Sequence, residues 1–171
     1  MKLPQVCSSS SYQEPCKKCG NCCRFYLFPP KLTIEEEYKI RKAIFEKTSI
    51  LYPYPLTELT IAIMPEEKET LKKLAQELGV ELKFIISKIL IKKKNQESID
   101  FEIISYCIKN SVCPFLDAKT NLCRIYPFRP KVCRDYPKEK KFQIFPDKEP
   151  PISFESAIYW FKQVSSKLEK L

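Results

Sequence analysis

The sequence contains no histidine, and this absence excludes several common kinds of active site. Serine–histidine and cysteine–histidine nucleophile pairs need an imidazole base, and a histidine-ligated metal needs an imidazole ligand. Glycine is also scarce, with only Gly20 and Gly79 in 171 residues. Two isolated glycines cannot form the glycine-rich phosphate loop of nucleotide-binding proteins. We therefore expect the nine cysteines to be the source of the protein's chemistry.

Long apolar runs are missing as well. The longest candidate, Phe84 to Ile91, is interrupted by Ser87 and Lys88, and a bilayer span needs roughly 18 to 20 apolar residues. The first residues, M-K-L-P-Q-V-C-S-S-S, lack the apolar segment of a secretory signal. We therefore expect a cytoplasmic protein without a membrane partner. In that compartment, cysteines bind metals or catalyse reactions more often than they form disulfides.

The charge balance is basic, with a net charge of +9 at pH 7. Such an excess indicates either a solvated lysine-rich surface or an anionic partner. Two lysine runs, Lys92–Lys94 and Lys138–Lys141, would make the contacts with such a partner. Aromatic residues do not alternate regularly with these lysines, as they do in single-stranded nucleic-acid sites. The sequence therefore does not favour a nucleic-acid partner.

Two helices are predicted in the first half of the chain. Thr33 and Glu36 form a capping-box pattern, so the first helix should begin at Thr33 and extend to about Lys47. Apolar residues recur at helical spacing between Pro65 and Gly79, which predicts the second helix.

The next segment combines helical and strand-like features. We expect a short helix over Leu82–Leu90, followed by a β-hairpin that turns at Asn95-Gln96. The return strand should contain Phe101. A final helix over residues 153–169 should begin after Ser153, which is a suitable N-cap. The predicted fold is thus α-rich with minor β structure, a small helical scaffold around a loop-rich, cysteine-ligated metal centre.

This pattern also suggests a domain organisation. Residues 1–14 are polar and should form a flexible arm. Residues 15–171 should form a single metal-binding domain. Its predicted parts are two ligand lobes (16–28 and 107–137), a helical insert (31–106) and the C-terminal helix (153–169).

Eight of the cysteines fall into two groups, Cys16, Cys19, Cys22 and Cys23, then Cys107, Cys113, Cys123 and Cys133. C-x-x-C spacing lets two sulfurs converge on one ion. In an extended backbone Cys22 and Cys23 point to opposite faces, so they should serve different metals unless one is not a ligand. The number of thiols also exceeds the four that a tetrahedral ion needs, which fits two ions or a multi-iron cluster better. Cys7 lacks a neighbouring cysteine and is excluded.

All-sulfur ligation suits Zn²⁺ and iron–sulfur clusters about equally. The C-x-x-C-x-x-C run resembles the closely spaced ligands of bacterial ferredoxins, whose fourth cysteine precedes a proline, as Cys113 does here. This favours a [4Fe–4S]-type cluster, with zinc as the alternative. Arginines beside the cysteines could donate hydrogen bonds to metal-bound thiolates and offset their charge, or could simply be surface charge. The residues expected around the centre are Arg129, Arg134, Arg124 and Tyr126.

Four motifs together resemble those of a known family. They are C-x-x-C-x-x-C-C at 16–23, C-P-F-L at 113–116, C-R-I-Y-x-x-R-P at 123–130 and C-R-D-Y-P at 133–137. This order resembles the YkgJ-type cysteine-cluster proteins, described as zinc- or iron-chelating domains. The resemblance implies metal ligation by Cys16, Cys19, Cys22, Cys23, Cys113, Cys123 and Cys133. Cys107 lies outside the motif and either completes a set of eight or is a small buried side chain.

Three functions are compatible with these features. The first is a cysteine-ligated iron–sulfur or zinc protein with a redox or accessory role and a redox or other protein partner. The second is a structural zinc module that binds a protein or nucleic-acid partner. The third is a metal-dependent protein-modifying enzyme, because a related domain occurs in flagellin lysine methylases. This chain, however, has no glycine-rich cofactor loop.

Overall fold

A computed structural model describes residues 23, 32–95, 98–109, 112–135 and 149–168. The predicted arm, the lysine run at 138–141 and most of the first ligand lobe lie outside these residues. The described helices and strands are, in chain order, α1 (Ile34–Thr48), β1 (Ile50–Leu51), β2 (Ala62–Ile63), α2 (Pro65–Glu77), β3 (Phe84–Lys93), β4 (Ile99–Ile108), α3 (Lys131–Asp135) and α4 (Phe154–Leu168). Short 3₁₀ turns occur at Leu56–Glu58 and Tyr126–Phe128.

The prediction of an α-rich fold is wrong, because a curled four-stranded antiparallel sheet forms the centre of the molecule. Its strand order is β1-β3-β4-β2, so the long β3–β4 hairpin lies in the middle. The insert predicted to be helical therefore contains most of the sheet. The structure has a mixed composition of helices and strands, with the helices packed against the sheet: α1 and α4 contact β1, α3 contacts β2, and α2 contacts β4.

The short helix predicted over Leu82–Leu90 is also wrong, since most of that segment lies in β3. β-Branched isoleucines dominate it, and they favour a strand when a partner strand is available. The partner strand is β4, and Ile89 of β3 pairs with Ile103 of β4. The predicted hairpin is confirmed, and the backbone N–H of Lys94 donates to Ser98 across its turn (3.0 Å).

The three predicted helix starts are confirmed by their caps. The Thr33 hydroxyl accepts from the Glu36 N–H (3.2 Å), and the Glu36 carboxylate accepts from the Thr33 N–H (2.8 Å). α2 begins at Pro65, and Gly79 follows its end with a left-handed φ of 62°. The Ser153 hydroxyl accepts from the backbone N–H of Ser156 (3.1 Å) at the start of α4.

Thr33→Ala should lower the free energy of unfolding by about 1 kcal/mol, because it removes the side-chain acceptor of the α1 cap. Thr33→Ser keeps that acceptor and should retain most of the stability. Urea unfolding of the three proteins measures the difference. If the serine variant lost as much stability as the alanine variant, the cap would not be the cause.

The larger of two hydrophobic clusters among the described residues lies on one face of the β3–β4 hairpin. The side chains of Ile86, Tyr106 and Ile108 extend from this face. Helices α1 and α4 meet in this core through Phe45 and Phe154, whose ring centroids are 5.8 Å apart. A smaller cluster on the other face contains Leu56, Leu59, Ile85 and Cys107. Among the described helices, none is long and apolar enough to cross a membrane.

Candidate metal centre

Four cysteines from separate parts of the chain line one small cavity beside the edge strand β2. They are Cys23, Cys113, Cys123 and Cys133, and the cavity volume is about 50 Å³. Apolar side chains form much of the remaining wall: Ile61, Ile63, Ile108, Phe115 and Ile125. A cavity with soft thiol donors and dry walls suits zinc or iron–sulfur ligation better than binding of a hard, oxygen-seeking cation.

Cys113 joins the two cysteine groups that are far apart in sequence. Its backbone N–H donates to the carbonyl of Cys23 (2.8 Å). The two thiols also share a hydrogen bond, which lowers the pKa of Cys113 against the opposing effect of burial. Charges on Cys133 and Cys123 act to raise the pKa of the Cys113 thiol, as expected for neighbouring anions. The fold therefore brings the end of the first cysteine motif to the second group.

A tight turn places Cys123 at the cavity. Leu116 and Cys123 form an isolated antiparallel bridge, and Asn121 has a left-handed φ of 57° in the turn between them. The Asp117 carboxylate accepts from the Lys119 N–H (2.8 Å), which helps to hold the pKa of Asp117 below its usual range. This local bonding stabilises the turn and leaves the Cys123 side chain facing the cavity.

Cys133 lies on the five-residue helix α3, which contacts the edge strand β2. The Pro130 carbonyl accepts from the backbone N–H of Cys133 (2.9 Å). The Glu67 carboxylate on α2 accepts from the N–H of Lys131 (2.7 Å), at the start of α3. A helix this short is not stable by itself, so these contacts help to hold the helix that carries Cys133.

The arginines predicted around the centre occupy two different environments. Arg129 and Tyr126 line the cavity, with the Arg129 guanidinium carbon 3.8 Å from the centre of the Tyr126 ring. Arg129 Nε also donates to the Tyr126 carbonyl (3.1 Å). Arg124 and Arg134 are exposed and donate to the backbone carbonyls of Pro114 and Arg129. These bonds stabilise the loop, whereas of the four predicted residues Arg129 and Tyr126 form part of the cavity wall.

Cys107 is not brought to the cavity. It is fully buried in the smaller cluster on the other face of the sheet, where it pairs with Ile85. Burial raises the pKa of its thiol, although hydrogen bonds with Thr60 oppose the effect. An apolar, inert position of this kind is common for a cysteine that packs as a small hydrophobic residue.

The other predicted ligands, Cys16, Cys19 and Cys22, lie outside the described residues, as does Cys7. Within the described ranges, no group of three or more cysteine, aspartate or glutamate side chains is arranged closely enough to hold an ion. Sequence reasoning also missed Glu67, which lies 64 residues from its partner in α3. Its only local signal is its place in the acidic first turn of α2, which many helices share.

Comparison with known families agrees with the chemistry of the cavity. A sequence model of one family, described as "CxxCxxCC: Putative zinc- or iron-chelating domain", matches residues 15–150. The match includes both cysteine groups and the insert that separates them. Neither a curated protein nor a solved structure matches the chain significantly.

Proposed function

Because the chain belongs to the CxxCxxCC family of zinc- or iron-chelating domains, we propose that it holds an iron–sulfur cluster in the cysteine-lined cavity and serves in electron transfer. The observation that supports this proposal is that Cys23, Cys113, Cys123 and Cys133 line one cavity. Bound there, the cluster would supply a reversible one-electron couple. The predicted ligands Cys16, Cys19 and Cys22 precede Cys23 closely in sequence and complete the proposed set of seven.

The surroundings of the cavity support a buried anionic centre. Thiolates are stable away from water only when hydrogen bonds or cations offset their charge. Arg129 supplies a permanent cation at the cavity wall, and its stacking on Tyr126 restricts the guanidinium. The apolar wall formed by Ile63, Ile108 and Phe115 limits the access of water. The protein thus supplies charge balance and a dry environment, two means by which proteins tune a redox potential.

Iron is proposed over zinc because the C-x-x-C-x-x-C spacing, together with the proline that follows Cys113, resembles the ligand pattern of bacterial ferredoxins. Four thiolates complete either a zinc site or a [4Fe–4S] cluster, so the number of thiols does not separate the two. Adjacent Cys22 and Cys23 are also difficult to direct at a single small ion. Cys107 is left out of the ligand set, since the sheet separates it from the cavity.

The test is purification without oxygen, followed by a visible spectrum and by iron, sulfide and zinc analysis. We expect a brown protein with broad visible absorption, matching amounts of iron and sulfide, and bleaching on reduction by dithionite. A colourless protein with stoichiometric zinc would overturn the iron–sulfur proposal.

One observation favours a structural zinc module as the second candidate. The cysteine lobe, defined here as residues 112–135, contains only the five-residue helix α3, a 3₁₀ turn and the Leu116–Cys123 bridge as regular structure. Such a segment gains much of its stability from a metal when one is bound. Lys92, the first residue of one lysine run, forms an ion pair with Glu102, which offsets one charge of that run. The metal analysis described above separates the two candidates.

A further inference from the structure

We propose that Glu67 is a positioning residue for the metal centre, through which helix α2 sets the place of the Cys133 ligand. The inference rests on the proposed function, since it concerns metal binding at the same cavity. Glu67 lies in the first turn of α2 and is partly buried. It belongs to none of the cysteine motifs and is separated from α3 by 64 residues of sequence.

The two carboxylate oxygens of Glu67 bind two different helix starts. Oε2 accepts from the N–H of Met64, the N-cap residue of α2 (3.1 Å). Oε1 accepts from the N–H of Lys131, the first residue of α3 (2.7 Å). Both are N–H groups that a helix cannot satisfy by itself. One carboxylate therefore joins α2 to the start of the helix that carries Cys133.

The position of α3 depends strongly on such outside contacts. With five residues, it is far shorter than a helix that is stable alone in water. The Pro130 carbonyl accepts from the backbone N–H groups of Cys133 and Arg134. These bonds form a local turn, but they do not attach that turn to the rest of the fold. Among the described residues, contact with β2 and the hydrogen bond to Glu67 attach it there. Because Cys133 is two residues from Lys131, a shift of the Lys131 N–H also moves the Cys133 thiol.

The hydrogen bonds of the Glu67 carboxylate distinguish this positioning role from metal ligation. The carboxylate accepts from two backbone N–H groups, so its charge is offset by donors other than a metal. Residues that orient a ligand in this way typically change metal affinity 10- to 100-fold when they are replaced. The same range is expected here for Glu67→Ala.

Glu66 offers a matched control in the same helical turn. It is exposed, carries the same charge, and makes no hydrogen bond to the cysteine lobe within the described part of the chain. Glu66→Ala therefore removes an acidic residue from the start of α2 without breaking the link to α3. Glu67→Gln is the conservative variant, since its single amide oxygen can replace one of the two acceptors but not both.

The experiment titrates the full-length, metal-free protein with Co²⁺, whose thiolate complexes show charge-transfer absorption that grows with the number of bound thiolates. For Glu67→Ala we expect an affinity 10- to 100-fold weaker than that of wild type. We also expect the absorption per bound cobalt to fall towards that of Cys133→Ser. Glu67→Gln should lie between these values, and Glu66→Ala should match wild type. A loss of stability alone would not lower the absorption of the bound form.

Amide hydrogen exchange gives a readout that does not depend on metal affinity. The Lys131 N–H of the protein as purified should exchange faster in Glu67→Ala than in Glu66→Ala. The inference is overturned if Glu67→Ala binds Co²⁺ with wild-type affinity and absorption, or if Glu66→Ala is impaired equally. If Glu67→Ala does not fold, a Glu67→Gln protein identical to wild type in both measurements overturns it. If wild type itself binds no Co²⁺ or iron, the proposed function fails, and the exchange rate still tests the link between the helices.

Discussion

Cys113→Ser is expected to leave the purified protein with little or no bound metal, whereas Cys107→Ala should keep the wild-type metal content. Cys113 lies at the cavity, and both its backbone N–H and its thiol contact Cys23. Serine preserves the size of the side chain and the backbone hydrogen bond. Its hydroxyl does not ionise near pH 7, however, and its oxygen is a harder donor than a cysteine thiolate. The substitution therefore removes the proposed ligand and keeps the size of the side chain.

The expected effect on stability is large as well. A structural zinc site contributes about 10–16 kcal/mol of apparent binding free energy in small domains, and native proteins are stable by only about 5–15 kcal/mol. The cysteine lobe has few regular elements to retain its structure without metal. We thus expect chelation of the metal from wild type to mimic Cys113→Ser.

The measurement is metal content per chain after anaerobic purification, together with the thermal midpoint of each protein. Cys107→Ala is the control, because that residue is fully buried on the opposite face of the sheet. It should lose some stability from the missing sulfur and keep its metal. If Cys107→Ala lost the metal while Cys113→Ser retained it, the assignment of the cavity as the metal centre would fail.

Phe154→Ala should lower the free energy of unfolding by about 3–5 kcal/mol. The Phe154 side chain is 2% exposed at the start of α4. Its ring packs against those of Tyr38 and Phe45, with centroids 5.4 Å and 5.8 Å away, respectively. The guanidinium of Arg41 also lies 5.7 Å from the ring centre. Alanine would leave a cavity among these groups and weaken the attachment of α4 to α1.

Urea or thermal unfolding measures this loss, and Tyr159→Ala is the control. Tyr159 is an aromatic residue on the same helix, but it is 67% exposed. Its replacement should change the free energy of unfolding by less than about 0.5 kcal/mol. Since Phe154 lies outside the cysteine cavity, the folded Phe154→Ala protein should still bind metal. Equal losses for the two variants would show that the burial of Phe154 does not stabilise the fold.

Local sequence signals predicted the starts of α1, α2 and α4. The capping box at Thr33, the proline at Pro65 and the N-cap at Ser153 act within one turn of the chain, so their effect is visible in the sequence. The segment of β3 is different. Its isoleucines are compatible with a buried helix or a strand, and the choice depends on pairing with β4. That pairing also changed the fold from the predicted α-rich arrangement to a mixed one.

The sequence by itself determined the kind of chemistry and the family. With no histidine and nine cysteines, thiols are the soft ligands that the composition offers to a metal. The spaced cysteine motifs identify the domain that the family comparison confirms. Residue types and short spacings require no knowledge of the fold, and this is why these conclusions could be drawn first.

Only the tertiary structure decided which groups meet at the cavity. Cys107 and Ile108 are neighbours in β4, yet Ile108 lines the cavity and Cys107 packs on the opposite face. Side chains alternate along a strand, so the register of the β3–β4 hairpin determines this outcome, and a shift of one residue would reverse it. The contact between Glu67 and α3 likewise depends on the packing of α2 beside the cysteine lobe. Such contacts join distant residues whose spacing in sequence contains no signal of their proximity.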